Sequence, residues 1–141
     1  MLRLANGRMS IMSSANIRLF IFLAERTKDR VFFRRIHDLP VAQSHLPLFV
    51  MPWTLLHAID HASPLQGYDA ATLVASDARL FLTIEARDQA LAALVQDMKD
   101  YTAEHIRFGM HFADSVTMDE KGHATADLSR ISLREPDSDG A

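Results

Sequence analysis

The chain has no cysteine among its 141 residues, so a disulfide framework, a thiolate zinc site and a cysteine nucleophile are all excluded. Glycine and proline are scarce, with five of each, and no phosphate-binding glycine loop, dinucleotide fingerprint or Gly-Xaa-Ser-Xaa-Gly elbow occurs. Apolar runs are short: residues 19–24 are flanked by Arg18 and Glu25, whereas a membrane-crossing helix needs about 20 apolar residues. The motifs of common enzymes are missing, and we expect no enzymatic activity.

The chain also lacks a strong charge of either sign. Its 15 Lys and Arg residues and 18 Asp and Glu residues give a formal net charge of -3, which does not attract a nucleic acid backbone. We therefore expect no nucleic acid partner, and any anion site must be local. The length fits one domain, which we place at residues 1–134. The acidic, apolar-poor residues 135–141 are predicted to form a flexible tail.

Most of the chain reads as short β-strands. Alternation of apolar and polar residues, or enrichment in branched and aromatic residues, predicts strands at residues 17–23, 31–36, 48–59, 79–85, 106–112 and 124–128. Asp69 is placed to cap a short helix over residues 70–75. Many short strands with brief helices indicate a mainly β fold of two packed antiparallel sheets.

One segment departs from this pattern. Residues 88–101 have the composition of a helix, with Ala and Leu concentrated at 90–94. The local pattern alone predicts about four helical turns there.

Histidine and carboxylate residues offer a second interpretation. His57 and His61 are four apart, but no third ligand is evident, and we predict no metal site. A stand-alone β-sandwich that binds a small ligand, or hydrolyses one, would be expected to bring His37, Asp38, His57 and Asp60 into one closed pocket. This ligand-binding module is the alternative to the interpretation that follows.

Five segments, in order along nearly the whole chain, resemble the cytoplasmic domain of inward-rectifier potassium channels. Met-Leu-Arg-Leu-Ala-Asn-Gly-Arg opens the chain, and an Arg-Arg-Ile-His-Asp-Leu run follows at residues 34–39. The most specific match is Trp-Thr-Leu-Leu-His-Ala-Ile-Asp-His-Ala-Ser-Pro-Leu at 53–65. His-Ile-Arg-Phe-Gly-Met-His-Phe at 105–112 and Asp-Leu-Ser-Arg at 127–130 complete the set. The resemblance is to the prokaryotic members of the family.

The resemblance implies an immunoglobulin-like β-sandwich with one or two short helices. It also implies a homotetramer at the cytoplasmic face of the cell membrane, whose central opening extends the path of potassium, the transported ion. These residues contain no Thr-Xaa-Gly-Tyr-Gly filter, so the transmembrane pore domain is expected as a partner outside this chain. Residues 88–95 fall where the family carries the loop that narrows the pore before a strand, which places Ala92 and Ala93 near its apex as pore-lining residues.

Further site residues follow from the same resemblance. Arg3 and Arg8 are expected to bind anionic lipid headgroups, in a domain that couples lipid or ligand binding to gating. Ser14 and His105 are expected to line the pore at positions where family members commonly carry Glu. Because neither residue is acidic, we predict weak magnesium block and sensitivity to acid. No cofactor is expected.

Overall fold

The computed structural model describes residues 1–137, and most of its secondary-structure elements are strands. In the structure 47% of residues lie in strands and 9% in helices, which confirms the mainly β class and the β-sandwich with few short helices. In chain order the strands are β1 (Leu2–Leu4), β2 (Met12–Arg26), β3 (Phe32–Asp38), β4 (His45–Phe49), β5 (Trp53–Leu55), β6 (Arg79–Asp88), β7 (Ala93–Thr102), β8 (Met110–Phe112), β9 (Val116–Met118), β10 (Ala124–Ala126) and β11 (Arg134–Pro136).

A five-stranded antiparallel sheet organises the fold. Its order is β3-β2-β6-β7, and β4 pairs with the first half of β2. Strand β2 lies at the centre because it alternates buried apolar residues with residues that face outward. The buried residues of β2 are Ala15, Ile17, Leu19, Ile21 and Leu23. Two-stranded pairs accompany this sheet: β1 with β5, β8 with β11, and β9 with β10.

The core forms where β1, β5 and the α-helix over residues 70–75 pack on the inner face of the central sheet. Trp53 and Leu55 of β5 are almost fully buried, as are Leu80 and Leu82 of β6. The Trp53 ring meets Phe49 edge to face at 5.7 Å between centroids. The core thus joins residues more than 60 positions apart in the sequence, which is typical of a β-sandwich.

The helix α1 (Ala70–Ala75) matches its predicted bounds. Asp69 accepts hydrogen bonds from the Thr72 backbone N–H, and the Thr72 hydroxyl accepts one from the Asp69 N–H, which completes a capping box. The helix ends at Ala75 with Ser76 as its C-cap, and the following residue, Asp77, adopts a positive φ of 45°. Only one turn and a half long, it is held by Leu73, which is 2% exposed in the core.

The prediction of a helix over residues 88–101, which rested on composition, is wrong. Strand β6 ends at Asp88, residues 89–92 turn, and β7 begins at Ala93. All ten residues of β7 pair with β6, from Asp88↔Ala93 to Arg79↔Thr102. Cross-strand pairing has overridden helix propensity here, and the loop followed by a strand that the family resemblance implies is what the structure contains.

Other predicted strands exist with narrower bounds. Residues 48–59 hold the end of β4 and all of β5, and Pro52 separates the two. Of residues 106–112 only β8 is a strand, because Gly109 has a φ of 64° that interrupts the extended backbone. The last predicted strand, 124–128, ends at Ala126, and a 3-10 turn follows at Leu128–Arg130.

The first residues of the predicted tail belong to a strand. Glu135 and Pro136 lie in β11 and pair with His111 and Met110 of β8. Backbone pairing extends to Asp137, whose N–H donates to the Gly109 carbonyl. The remaining four residues of that predicted tail, 138–141, lie outside the described residues.

Candidate functional site

A single carboxylate connects three segments at the end of the sheet where β2 begins and β6 ends. Asp88 Oδ2 accepts hydrogen bonds from Arg8 Nη1 at 3.0 Å and from the Ser10 hydroxyl at 3.0 Å. Asp88 Oδ1 accepts from the backbone N–H groups of Ala90 at 2.9 Å and Leu91 at 3.2 Å. The segment before β2 and the turn after β6 are therefore bonded to the same side chain.

Asp88 is held ionised although it is buried. Its side chain is 2% exposed, whereas that of its partner Arg8 is 51% exposed. Desolvation raises the pKa of Asp88, but the hydrogen bonds from Leu91, Ser10, Arg8 and Ala90 together outweigh it and hold the pKa below its ordinary value. The carboxylate needs these donors, because a buried charge without partners is strongly unfavourable.

Arg8 is positioned by the loop that precedes β2. Asn6 Oδ1 accepts a hydrogen bond from the Arg8 backbone N–H at 2.9 Å, and Asn6 Nδ2 donates to the carbonyls of Ser10 and Phe49. Asn6 thereby closes the loop on β4 and directs Arg8 toward Asp88. Half of the Arg8 side chain still faces solvent and is available to an anion.

Ala92 lies in the turn that Asp88 holds. Its φ is 50°, a left-handed conformation that is unfavourable for a residue with a Cβ atom. Ala93, the next residue, pairs with Asp88 as the first residue of β7. Both alanines are exposed, so the turn presents two small apolar side chains to solvent.

Ser14 shares this end of the sheet, and His105 does not. Ser14 lies at an irregularity in β2, where the register with β6 shifts between Ser13 and Asn16, and it has a φ of 49°. His105 lies in the 3-10 turn after β7, where Nδ1 is 2.9 Å from the Thr102 hydroxyl. A ten-residue strand spans about 30 Å, so the predicted pore-lining residues occupy two opposite ends of β7.

Arg3 is engaged with the C-terminal part of the chain. It lies in β1, its Nη1 donates to the Ala113 carbonyl at 2.6 Å, and its guanidinium lies over the Phe112 ring at 4.9 Å from the centroid. Arg3 and Arg8, the two predicted headgroup ligands, therefore have different surroundings. Arg8 is much the more accessible of the two.

The four residues of the alternative pocket do not converge. His37 is 2.9 Å from Glu25, and Asp38 pairs with Arg18 across the exposed face of β2 and β3. The ring of His57 lies between the Ser63 hydroxyl and the Pro40 carbonyl. The side chain of Asp60 accepts from the N–H of Ala62 in the following turn.

Each of those four side chains has its own local partner, and the geometry does not support the stand-alone ligand-binding module. Within residues 1–137, no group of three or more His, Asp or Glu side chains is arranged to hold a metal ion. In the same part of the chain, no helix is both long enough and apolar enough to cross a membrane.

Sequence reasoning missed Asp88 as the centre of this site. Asp88 begins the loop that the family resemblance implies, and this was a usable signal because Asp side chains commonly accept N–H groups two and three residues ahead. What no local pattern could supply is the approach of Arg8 and Ser10, which are about 80 residues away in sequence.

The comparisons with known proteins agree with this fold. The model of the inward rectifier potassium channel C-terminal domain matches residues 1–135. The chain therefore belongs to the inward-rectifier potassium channel C-terminal domain family.

Individual relatives come from prokaryotes and animals. The chain is 33% identical over 131 residues to inward rectifier potassium channel Kirbac3.1 of Paramagnetospirillum magnetotacticum, a match that covers 93% of this chain and 44% of the relative. It is 27% identical over 90 residues to mouse ATP-sensitive inward rectifier potassium channel 15, covering 64% of this chain and 24% of that protein. It is 33% identical over 82 residues to human inward rectifier potassium channel 4, covering 58% and 18%. The chain spans less than half of the length of these relatives.

Proposed function

We propose that the chain is the cytoplasmic regulatory and pore-lining domain of a potassium channel, in which four copies form a ring that extends the ion pathway and couples lipid binding to gating. The observation that carries the proposal is the Asp88 carboxylate, which bonds both to Arg8 and to the turn that bears Ala92. The transmembrane pore would come from outside these residues. Family membership supports the channel assignment, and the coupling rests on the geometry of this carboxylate.

Coupling works through competition for Arg8. An anionic headgroup at the membrane surface competes with Asp88 for the half-exposed guanidinium and weakens the bond between them, since each cation near an anionic leaflet gains about 1 kcal/mol. With a weaker bond to Arg8, the carboxylate holds Ala90 and Leu91 less firmly. The turn gains freedom, and the position of Ala92 changes with it.

The same turn is suited to a constriction around a fourfold axis. Four copies of Ala92 and Ala93 can approach closely because the side chains are small, and an apolar ring can stop ions by excluding water. Ser14, at the same end of the sheet, adds a neutral ring beside it. His105 would form a separate ring about one strand length away.

Potassium is the ion that such a pathway would carry. Because Ser14 and His105 carry no carboxylate, magnesium would bind weakly to the two rings that these residues form near neutral pH. Protonation of His105 would repel cations further. Magnesium binding to tetramers of the unchanged protein, of Ser14→Glu and of His105→Glu tests this. Both variants should bind magnesium more tightly than the unchanged protein. Equal binding in all three would contradict the assignment.

The coupling can be tested on the chain itself with lipid vesicles. We expect vesicles of phosphatidylglycerol and phosphatidylcholine, but not of phosphatidylcholine alone, to bind the chain and to lower the hydrogen-exchange protection of the Ala90 and Leu91 amides. Arg8→Gln should weaken binding about fivefold and abolish the change in protection. Arg18→Gln is the matched control, because Arg18 is exposed and pairs with Asp38 away from this site.

Arg3→Gln should reduce vesicle binding less than Arg8→Gln, since the Arg3 guanidinium is already engaged by the Ala113 carbonyl and the Phe112 ring. The proposal is wrong if Arg8→Gln and Arg18→Gln bind anionic vesicles equally well. It also fails if bound vesicles leave the protection of the turn unchanged.

A further inference from the structure

Three segments with almost no charge meet at the end of the central sheet where β2 begins. Asn6 Nδ2 donates to the carbonyls of Ser10 at 3.0 Å and Phe49 at 3.1 Å, which places the loop before β2 beside the loop after β4. The Gln89 N–H donates to the Ile11 carbonyl and adds the turn after β6. Although 23% of the chain is charged, a single charged residue, Arg8, occurs in the three segments, which are residues 4–17, 46–56 and 89–96.

Two of these segments present large apolar side chains to solvent. Met9 is fully exposed, and Ile11, Val50 and Met51 are about half exposed. We call these four residues the apolar tip. Single exposed apolar residues are common on protein surfaces, whereas a group of them beside a cation is typical of a surface that binds a partner.

The opposite end of the sheet has the reverse composition. The hairpin of β2 and β3 carries five basic and three acidic residues within residues 25–38. Side chains of both charges favour contact with water. The sheet therefore has one charged end and one apolar end, and the apolar end is the one that holds Arg8.

We infer that the apolar tip inserts into the interface of a bilayer that contains anionic lipids, beside the headgroup that Arg8 binds. This inference rests on the lipid binding of the proposed function and adds a source of affinity that does not depend on charge. Interfacial protein segments bury apolar side chains about 5–10 Å into the boundary between headgroups and acyl chains and keep their cations at the headgroups. Arg8 and Met9 are adjacent, so one loop presents both groups.

The distribution of carboxylates favours a lipid surface over a protein partner. The three segments contain no Asp or Glu, and Asp88, the carboxylate bonded to Arg8, is 1% exposed. An anionic leaflet repels exposed carboxylates, whereas a protein partner tolerates them at the rim of its interface. The tip thus has the composition that an anionic bilayer requires.

Replacement of tip residues tests the contribution of insertion to binding. Met9→Gln should weaken binding of the chain to vesicles of phosphatidylglycerol and phosphatidylcholine about threefold to tenfold, because part of the transfer free energy of the methionine side chain is lost. Since Met9 is fully exposed, the core is unaffected. Met118→Gln, in the exposed strand β9, is the matched control and should bind like the unchanged chain.

A second pair of variants uses valine in place of methionine. Val50→Gln should weaken vesicle binding, and Val74→Gln should not. Both valines are about half exposed, but Val74 lies in α1, which is joined to the far end of β2 by the bond from the Ala24 N–H to the Ser76 carbonyl.

The depth of insertion can be measured directly with a fluorescent label. Because the chain has no cysteine, Met9→Cys accepts one environment-sensitive fluorophore, and Met118→Cys provides the control. The vesicles carry a nitroxide on the acyl chain close to the headgroup. We expect the nitroxide to quench the label at position 9 and to leave the label at position 118 unchanged.

The outcomes separate this inference from the proposed function. Bound vesicles without quenching at position 9, or equal binding by Met9→Gln and Met118→Gln, would overturn insertion and leave headgroup binding by Arg8 intact. If anionic vesicles do not bind the unchanged chain, lipid coupling and insertion fail together. If the label is not quenched and Met9→Gln instead reduces association between copies of the chain, the tip is a contact between copies, and the inference is wrong.

Discussion

At the scale of single residues, Asp88 joins the segment before β2 to the turn after β6. One carboxylate accepts four hydrogen bonds, two from side chains before β2 and two from the backbone of the turn after β6. If the carboxylate were absent, the N–H groups of Ala90 and Leu91 would lose this acceptor, and an unpaired N–H group is unfavourable. The conformation of the turn is therefore expected to depend on Asp88 more than on any apolar contact of the turn itself.

Replacement of Asp88 by Ala tests this dependence. Asp88→Ala removes both acceptor oxygens, so the amides of Ala90 and Leu91, which donate to Oδ1, should lose hydrogen-exchange protection. Asp97→Ala is the matched control in the exposed part of β7. If both variants leave the turn equally protected, the carboxylate does not hold it.

The titration of Asp88 gives a second prediction. Because its pKa in the folded chain is below the ordinary value of 3.8, the stability it confers is present above about pH 4 and declines as the pH falls through the folded pKa. Carbon-13 NMR of the Asp88 carboxyl should show a midpoint below 3.8, and Arg8→Gln should move that midpoint upward. A midpoint above the ordinary value in the unchanged chain would contradict the arrangement of donors.

Ala92 and Ala93 should respond in opposite ways to replacement by glycine. Ala92 has a φ of 50°, so Ala92→Gly relieves an unfavourable backbone conformation and should stabilise the chain by about 0.5–1 kcal/mol. Ala93 is in a strand, where Ala93→Gly should destabilise it by a similar amount. Chemical denaturation measures both, and a loss of stability in both variants would show that Ala92 is not strained.

At the scale of elements, α1 depends on one buried side chain. Leu73 is 2% exposed, whereas the next residue, Val74, is 52% exposed. Leu73→Ala should cost about 2–5 kcal/mol in the free energy of unfolding, and Val74→Ala should change it by less than about 0.5 kcal/mol. Similar values for the two variants in urea denaturation would mean that the helix does not pack on the core as described.

The elements also show which parts of the fold sequence patterns can predict. Strands β2 and β6 and the capped helix α1 were predictable because their burial patterns and the Asp69 cap are local signals. The alanine-rich segment after Asp88 was not, because its local composition favours a helix while ten pairs with β6 favour a strand. Pairing partners are set by the tertiary fold, and composition contains no record of them.

The candidate site was likewise predictable from the sequence only in part. The family motifs indicated Arg8 as a headgroup ligand and Ala92 and Ala93 as pore-lining residues, and the structure brings Arg8 and the alanine turn together through Asp88. The motifs did not indicate Asp88. Its role arises from contacts with Arg8 and Ser10, which are about 80 residues away in sequence and which no local pattern records.

At the scale of the whole molecule, β7 leaves apolar residues uncovered. It is an edge strand of the central sheet, and most of its residues are exposed on both faces, including Leu94 and Met98 at 59% and 62%. Exposed apolar residues along a sheet edge favour association with another surface. Assembly of several copies around the Ala92 turn would cover part of this edge.

Spin labels placed at Ala92 test the central claim, a fourfold ring with this turn at its axis, most directly. Because the chain has no cysteine, Ala92→Cys provides one labelling site per copy, and Met118→Cys in the exposed strand β9 provides the control. Double electron–electron resonance at micromolar to millimolar protein should give two distances in a ratio of about 1.4 at each site, as a square of four labels requires, with the shorter pair at Ala92. Absence of coupling between chains at every concentration, or shorter distances at Met118 than at Ala92, would contradict the account.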